Sequence, residues 1–169
     1  MNESEDIKMD ILETMKARHS VRQYKNQAIE SSKREKINAL IKDVNAESKL
    51  SIQVFYDEPK CFDSFMAHYG KFENVKNYIA IVGNKNDQEK AGYYGEKIVL
   101  KCQKLGLNTC WVAMTHGKSK AQIKRGQKLL IIISLDMEKH REFHIKAKVS
   151  QNLDRRIRRT NGLKKVWKR

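Results

Sequence analysis

The spacing of apolar residues along the chain predicts an alternation of helices and strands. Over 6–18, apolar residues recur at helical spacing, with acidic residues early and basic residues late, which suits a helix dipole. A second amphipathic helix is expected over 29–44, with Ser31 or Ser32 as its N-terminal cap. Similar patterns predict the remaining elements, namely strands at 51–55, 75–82, 109–114 and 129–135, a helical turn at 61–66, and helices at 92–105 and 118–124.

The order of these elements predicts an α+β fold in one layered domain. The strand at 129–135 is almost continuously apolar, which is typical of a strand at the centre of a sheet. Gly106 follows the helix at 92–105 and is expected to end it. The 169 residues are roughly the length of one domain, and the sequence shows neither an internal repeat nor a linker between domains.

Composition narrows the class of protein. A single proline and a hydrophobic content of 40% exclude collagen-like and proline-rich chains. The apolar runs are too short to cross a bilayer, and the acidic start at 1–6 resembles neither a signal peptide nor a transit peptide. Cys61, Cys102 and Cys110 are odd in number and form no CxxC pair. We therefore expect a protein of the reducing cytoplasm that does not enter a membrane.

The formal net charge of +15 is concentrated towards the C-terminus. Residues 1–113 hold 18 Lys and Arg against 16 Asp and Glu, whereas residues 114–149 hold 9 against 3 and residues 150–169 hold 8 against 1. Such a tail either binds phosphates non-specifically, as nucleic-acid arms do, or is a solvated run without a partner. The second interpretation is favoured for a short terminal run, so nucleic acid is not the expected partner.

One short segment concentrates side chains that bind phosphate. Arg18, His19, Ser20 and Arg22 lie within five residues, directly after the first predicted helix. In an extended chain, Arg18, Ser20 and Arg22 share one side. Guanidinium forks and a hydroxyl suit a phosphate monoester, because charge-assisted bonds hold its oxygens. The alternative is a helix C-terminus that carries cations complementary to its dipole, and composition alone favours that alternative.

Three parts of the sequence together resemble the nitroreductase family of flavoproteins. Arg-His-Ser-Val-Arg-x-Tyr at 18–24, after an N-terminal helix, is similar to the opening motif of that family. Residues 92–96 and 105–112 resemble its central helix and its Gly-Leu-x-x-Cys-Trp strand. Residues 62–70 with 75–78 resemble the two-lobed branch known as TM nitroreductases. The second and third matches are the more specific, because short basic motifs recur by chance.

This resemblance implies a nitroreductase-like sandwich, with a mostly antiparallel sheet flanked by helices, that binds FMN without a covalent bond. The flavin would take hydride from NADH or NADPH and pass electrons to nitro or quinone acceptors. Because the flavin supplies the chemistry, no catalytic residue is expected from the chain. No metal ligand is expected either, because no second ligand lies at metal spacing from His68. Carried over position by position, the family's contacts to the FMN phosphate and ribityl chain would be Arg18, His19, Ser20 and Arg22, and its basic pair near the domain's end would be Lys146 and Lys148.

The chain departs from the two-lobed branch towards its C-terminus. In that branch a second lobe mimics the partner of a homodimer and supplies an Ala-Pro-Thr-x-x-Asn-Gln loop over the flavin ring, and no such loop occurs in this sequence. The glycine-rich hairpin expected after Leu135 is replaced by Asp-Met-Glu-Lys-His-Arg at 136–141. Residues 1–149 are therefore interpreted as a single, truncated N-terminal lobe, and residues 150–169 as a basic tail.

A change of reading frame would explain the basic tail. Members of the two-lobed branch resemble one another near the lobe junction in the run Glu-Trp-Phe-Lys-Lys-Gly-Met-Glu-Ala. With a permitted codon choice, the same bases read one position later encode Asn-Gly-Leu-Lys-Lys-Val-Trp-Lys, which is the sequence at 161–168. The hypothesis is a frameshift near 149–155, with a tail that is disordered or encoded out of frame.

Three functions remain open on the sequence alone. The first is an FMN-dependent NAD(P)H oxidoreductase with a small-molecule electron acceptor, with homodimer formation left open. The second is a truncated, inactive lobe of such an enzyme, and the third is a small basic protein that binds nucleic acid. Tyr93 and Tyr94 either line a flavin pocket or pack in the core, with neither interpretation favoured. Cys110 is expected to pack on its strand rather than act as a nucleophile.

Overall fold

The computed structural model of the chain describes residues 11–139. Lys146, Lys148, the tail at 150–169 and the start of the first predicted helix lie outside these residues. The helices are α1 (Ile11–Ala17), α2 (Ser31–Ser48), α3 (Phe65–Tyr69) and α4 (Gln88–Lys104), with a 3₁₀ turn at Pro59–Cys61. The strands are β1 (Ser51–Phe55), β2 (Tyr78–Asn84), β3 (Asn108–Val112) and β4 (Gln127–Asp136). Within this part of the chain, none of the helices is both long and apolar enough to span a bilayer.

The four strands form one antiparallel sheet in the order β1-β2-β4-β3. β4 lies between β2 and β3, which confirms that the apolar run at 129–135 is central. Tyr78 at the start of β2 pairs with Ser134 near the end of β4. The fold is therefore α+β, with an antiparallel sheet flanked by helices, as predicted.

Both faces of the sheet are buried, because the side chains of each strand alternate between two apolar clusters. Ile79 and Ile133 belong to a cluster shared with α2 and α4. Ala80 and Ile132, their neighbours in sequence, belong to a second cluster that includes Val21 and aromatic residues from both sides of α3. Burial on both faces explains why β4 is apolar along most of its length rather than at every second position.

α4 ends in a Schellman motif at Gly106, which confirms the predicted role of this glycine. Its φ is +71°, and its N–H donates to the Gln103 carbonyl at 3.0 Å. The N–H of Leu107 donates to the Cys102 carbonyl at 2.9 Å and completes the pair of bonds. Glycine adopts this left-handed backbone without strain, so the chain turns directly from α4 into β3.

Residues 118–124 do not form the predicted helix. Their backbone N–H groups bond to side chains of the sheet instead. The N–H of Lys120 donates to the Tyr78 hydroxyl at 3.0 Å, and that of Gln122 donates to Gln53 Oε1 at 2.9 Å. Gln53 Nε2 in turn donates to the Gln122 carbonyl at 2.9 Å. Tertiary bonds to β1 and β2 therefore override the local helical pattern.

The beginning of α2 also differs from the prediction. The capping residue is Glu30, which makes no side-chain capping bond, because the chain turns into the helix one residue before the serines. The expected cap at Ser31 or Ser32 is therefore wrong. The predicted apolar face is confirmed, since Ile37 and Ile41 are buried against the sheet.

Candidate functional site

The segment at 18–24 leaves α1 and runs along the outer edge of β3. Ser20 forms a parallel bridge with Thr109, and the Val21 N–H donates to the Thr109 carbonyl at 3.1 Å. Further along, the Tyr24 N–H donates to the Glu73 carbonyl at 3.1 Å. These bonds to two separate parts of the fold fix the backbone of the candidate motif.

Tyr24 anchors the same segment from inside. Its side chain is fully buried, and its hydroxyl donates to the Val21 carbonyl at 2.5 Å and bonds to Ser134 Oγ at 2.7 Å. Burial raises the pKa of this phenol well above its usual value, so the hydroxyl keeps its proton. The tyrosine of the motif therefore holds the segment against β4.

Arg18 lies where the segment passes α4. Its Nε is 3.5 Å from Glu96 Oε1, and Glu96 Oε2 accepts a hydrogen bond from the Trp111 indole at 3.3 Å. Arg18 Nη1 is shielded from solvent and has no hydrogen-bond partner within residues 11–139. A shielded donor in that state costs about 1–3 kcal/mol, because it has lost water and gained no acceptor. The donor is therefore well suited to an oxygen acceptor such as a phosphate.

His19 contacts a different acid. Its Nε2 lies 3.1 Å from Glu138 Oε1, and its Nδ1 lies 3.3 Å from the Ala17 carbonyl. Glu138 follows β4, and its N–H donates to Asn108 Oδ1 at 3.2 Å. Both ring nitrogens thus face acceptor oxygens. The fold holds this ring at a set position beside the segment.

Ser20 and Arg22 are exposed beyond the edge of the sheet. The guanidinium carbon of Arg22 lies 5.8 Å from the centre of the Phe72 ring, within the range of a cation–π contact. The four predicted residues thus share one fixed segment, whereas the side chains of three of them contact three different neighbours. The structure therefore fixes the backbone of the motif as one segment, and its cationic side chains lie at separate places along that segment.

The segment fits an anion and its surroundings do not suggest a metal. Arg18 and Arg22 supply guanidinium donors and Ser20 supplies an exposed hydroxyl, the groups that hold phosphate oxygens. Over the described 11–139 range, there is no group of three His, Cys, Asp or Glu side chains that could bind a metal ion. The unsatisfied Arg18 Nη1 is the feature that fits a phosphate best.

The other candidate residues are explained mainly by packing. Burial raises the pKa of Cys61 and Cys102 to about 12, so neither is a thiolate at neutral pH. Cys110 is 2% exposed and packs in the second apolar cluster, as expected. Tyr93 is 67% exposed on α4 and is not a core residue, whereas Tyr94 packs at the margin of the first cluster.

Sequence reasoning missed the two acids that contact the motif. Glu138 lies 119 positions from His19, in the stretch of sequence that stands where the family has its glycine-rich hairpin, so no local signal indicates the pairing. Glu96 lies in a segment that resembles the family's central helix, and this was the available signal. Its pairing with Arg18 is visible only once α4 is folded against β3.

A family model described as "Putative TM nitroreductase" matches residues 10–165. The chain belongs to this family. The matched range includes both the motif at 18–24 and the two basic residues that resemblance selected, Lys146 and Lys148. The matched range of the TM nitroreductase family also includes Glu96, the acid that contacts Arg18.

Solved nitroreductases share the fold of this TM nitroreductase family member. An FMN-dependent nitroreductase from Clostridium difficile R20291 has a TM-score of 0.59 at 21% identity, covering 76% of this chain and 88% of that one. A nitroreductase with bound FMN from Bacteroides fragilis NCTC 9343 has a TM-score of 0.57 at 16% identity, with coverage of 82% and 95%. At these identities the likeness establishes the fold. A search of curated proteins finds no match.

Proposed function

We propose that the chain is an FMN-dependent oxidoreductase that passes electrons from NADH or NADPH to nitro or quinone acceptors. The proposal is carried by Arg18, whose shielded Nη1 is an unsatisfied donor in the motif that the family resemblance assigns to the FMN phosphate. Among similar structures, one is described as FMN-dependent and another contains bound FMN, which supports the same cofactor here.

The residues of the segment would bind and orient the cofactor. Arg18 and Arg22 would bind phosphate oxygens with their guanidinium groups, and Ser20 would donate its hydroxyl. His19, which contacts Glu138 at 3.1 Å, would stand beside the ribityl chain. When bound, FMN would supply the hydride and electron transfer, so the chain itself needs no nucleophile or acid–base pair.

Three further parts of the proposal reach beyond this segment. Lys146 and Lys148 would add two ammonium groups to the phosphate site. The three cysteines are free and buried, which supports a location in the reducing cytoplasm. A homodimer is supported by α1, on which Ile11, Leu12 and Met15 are 47%, 60% and 54% exposed, because a second copy could cover this apolar surface.

The absorption spectrum of the purified full chain tests the proposal. We expect the visible bands of oxidised flavin, release of FMN on denaturation, and oxidation of NADH or NADPH when a quinone or nitroaromatic acceptor is added. Protein that is colourless and takes up no added FMN contradicts the proposal. Salt-sensitive binding to DNA that disappears on removal of residues 150–169 would instead favour a nucleic-acid-binding protein.

A truncated lobe without activity is a second candidate, favoured by the sequence of the tail. With a permitted codon choice, an out-of-frame reading of the lobe-junction run that the family resemblance gives would encode residues 161–168. Reading the gene in the alternative frame from near codon 149 tests this candidate. A second lobe with an Ala-Pro-Thr-x-x-Asn-Gln loop in that frame would support it, and a frame without such a lobe would exclude it.

A further inference from the structure

We infer that Glu96 is a positioning residue for the phosphate site, holding the Arg18 guanidinium by its Nε so that Nη1 is presented to an anion. The inference rests on the proposed function, because it concerns the same site. Glu96 would touch neither the flavin nor the electron acceptor. It would act only through the direction that it imposes on Arg18.

The carboxylate of Glu96 faces two side chains, Arg18 through an ion-pair contact and Trp111 through a hydrogen bond. Oε1 lies 3.5 Å from Arg18 Nε, and Oε2 accepts from the Trp111 indole at 3.3 Å. A guanidinium carries its five N–H donors in one rigid plane, so a carboxylate beside Nε favours one orientation of the whole group. Nη1 takes no part in this contact and has no hydrogen-bond partner among residues 11–139.

Trp111 and Gly95 hold the carboxylate in place. The Trp111 ring on β3 lies against the backbone of α4 at Gly95, the residue before Glu96. A Cβ atom at Gly95 would overlap Trp111 Cη2 and lie 3.0 Å from Ile81 Cδ1, so the ring reaches this position because the residue is glycine. The indole is therefore packed against α4, where its N–H donates to Glu96 Oε2 at 3.3 Å.

A residue that only neutralises the charge of Arg18 would affect anion binding in the opposite way to a positioning residue. If Glu96 only neutralised Arg18, removal of its charge would strengthen the binding of an anion. If Glu96 positions Arg18, the same change weakens binding. Glu96→Gln separates the two roles, because it removes the charge at nearly constant size. A glutamine has a single carbonyl oxygen, whereas Glu96 faces Arg18 and Trp111 with two different oxygens.

Dissociation constants for FMN and for riboflavin, which lacks the phosphate, test the inference. We expect Glu96→Gln to weaken FMN binding about 10-fold, the effect of one charge-assisted hydrogen bond, and to change riboflavin binding by less than about 2-fold. Glu89→Gln, at an exposed position of the same helix, should change neither. Tighter FMN binding in Glu96→Gln, or an equal loss for both flavins, overturns the inference.

A measurement without flavin keeps this inference separate from the proposed function. If the wild-type chain binds neither flavin, the proposed function fails, yet NMR of the Arg18 Nε–H still reports its contact with Glu96. We expect Glu96→Gln to shift this signal and to speed its exchange with water, together with a shift of the Trp111 indole signal. Arg18→Lys assigns the first signal and Trp167→Phe leaves Trp111 as the single indole. An unchanged Arg18 signal overturns the inference.

Discussion

Two groups of polar side chains lie beside β3 and β4, and they differ in how fully their hydrogen bonds are satisfied. The interior network consists of Tyr24, Asn77, Ser134 and Asp136, and the rim cluster consists of Arg18, Glu96 and Trp111. In the interior network every side chain is buried and bonded. The Tyr24 hydroxyl lies 2.7 Å from Ser134 Oγ, and Asn77 Nδ2 donates to Asp136 Oδ2 at 2.7 Å.

The rim cluster is only partly buried and contains a shielded donor, Arg18 Nη1, without a partner among the described residues. Polar groups that satisfy one another stabilise a fold, whereas an unsatisfied one needs another explanation, such as a ligand. The comparison therefore predicts different consequences of substitution. Changes in the interior network should lower stability, and changes in the rim cluster should alter the discrimination between FMN and riboflavin.

The largest expected effect concerns pH and the interior network. Burial raises the pKa of Asp136 from 3.8 to about 6. A carboxyl group with a raised pKa in the folded state stabilises the fold below its unfolded pKa, and this contribution is lost as the pH rises through about 6. The difference corresponds to about 3 kcal/mol. We expect urea titrations to show that decline between about pH 4 and about pH 6.

Asp136→Asn separates this contribution from those of other titrating groups. The amide does not titrate, so the stability of the variant should lack the decline, and the difference between wild type and variant should change with pH. Asp63→Asn, at an exposed position, should leave the pH profile of the wild type unchanged. A difference between wild type and Asp136→Asn that is constant across this pH range would contradict the assignment.

The second effect concerns the rim cluster. Arg18→Ala removes the guanidinium and should weaken FMN binding at least about 30-fold, the lower range for loss of one partner of a shielded charge pair. Riboflavin binding should change little, because riboflavin has no phosphate. Lys16→Ala is the control, since Lys16 is exposed on α1 and pairs with Glu13 on the same helix. Equal losses for FMN and riboflavin would place the phosphate elsewhere.

A third substitution tests the packing that supports the rim cluster. Gly95→Ala places a methyl group against the Trp111 ring and should lower the free energy of unfolding by about 1–3 kcal/mol. It should also weaken FMN binding, because the indole supports Glu96. Gly92→Ala is the matched control on the same helix, where a Cβ meets nothing within 4 Å. That variant should be stabilised by about 0.4–1 kcal/mol. Similar stabilities of the two variants in chemical denaturation would contradict the packing.

The smallest effect is expected at Tyr24. Tyr24→Phe removes the hydroxyl that bonds to Val21 and Ser134, and should lower the free energy of unfolding by about 1 kcal/mol. Tyr94→Phe removes a hydroxyl that donates to Glu47 at the surface, and should change stability by less than about 0.5 kcal/mol. If Tyr24→Phe lost the preference for FMN over riboflavin without losing stability, the proposed difference between the interior network and the rim cluster would be contradicted.

Sequence reasoning succeeded where the determining contacts are local. β1 has the predicted bounds, and Gly106 ends α4 as expected, because alternation and helix-ending signals act over a few residues. It failed at 118–124, whose N–H groups bond to Gln53 and Tyr78 far away in the sequence. No local pattern contains that information.

The candidate site also has some features that the sequence predicts and others that only the folded chain reveals. Resemblance selects the motif at 18–24 as a candidate site, but its place at the edge of β3 is known only from the structure. The acids that contact it could not be predicted either, because Glu96 and Glu138 meet Arg18 and His19 only in the folded chain. Resemblance to a family identifies which residue types stand at which positions of the motif. An unsatisfied donor such as Arg18 Nη1 depends instead on three-dimensional packing, which the motif does not contain.

A crystal structure of the chain with FMN would locate the phosphate and show whether Arg18 binds it. We expect a phosphate oxygen within about 3 Å of Arg18 Nη1, with the contact between Arg18 Nε and Glu96 preserved. A phosphate bound away from the segment at 18–24, with Arg18 Nη1 still unpartnered, would contradict it.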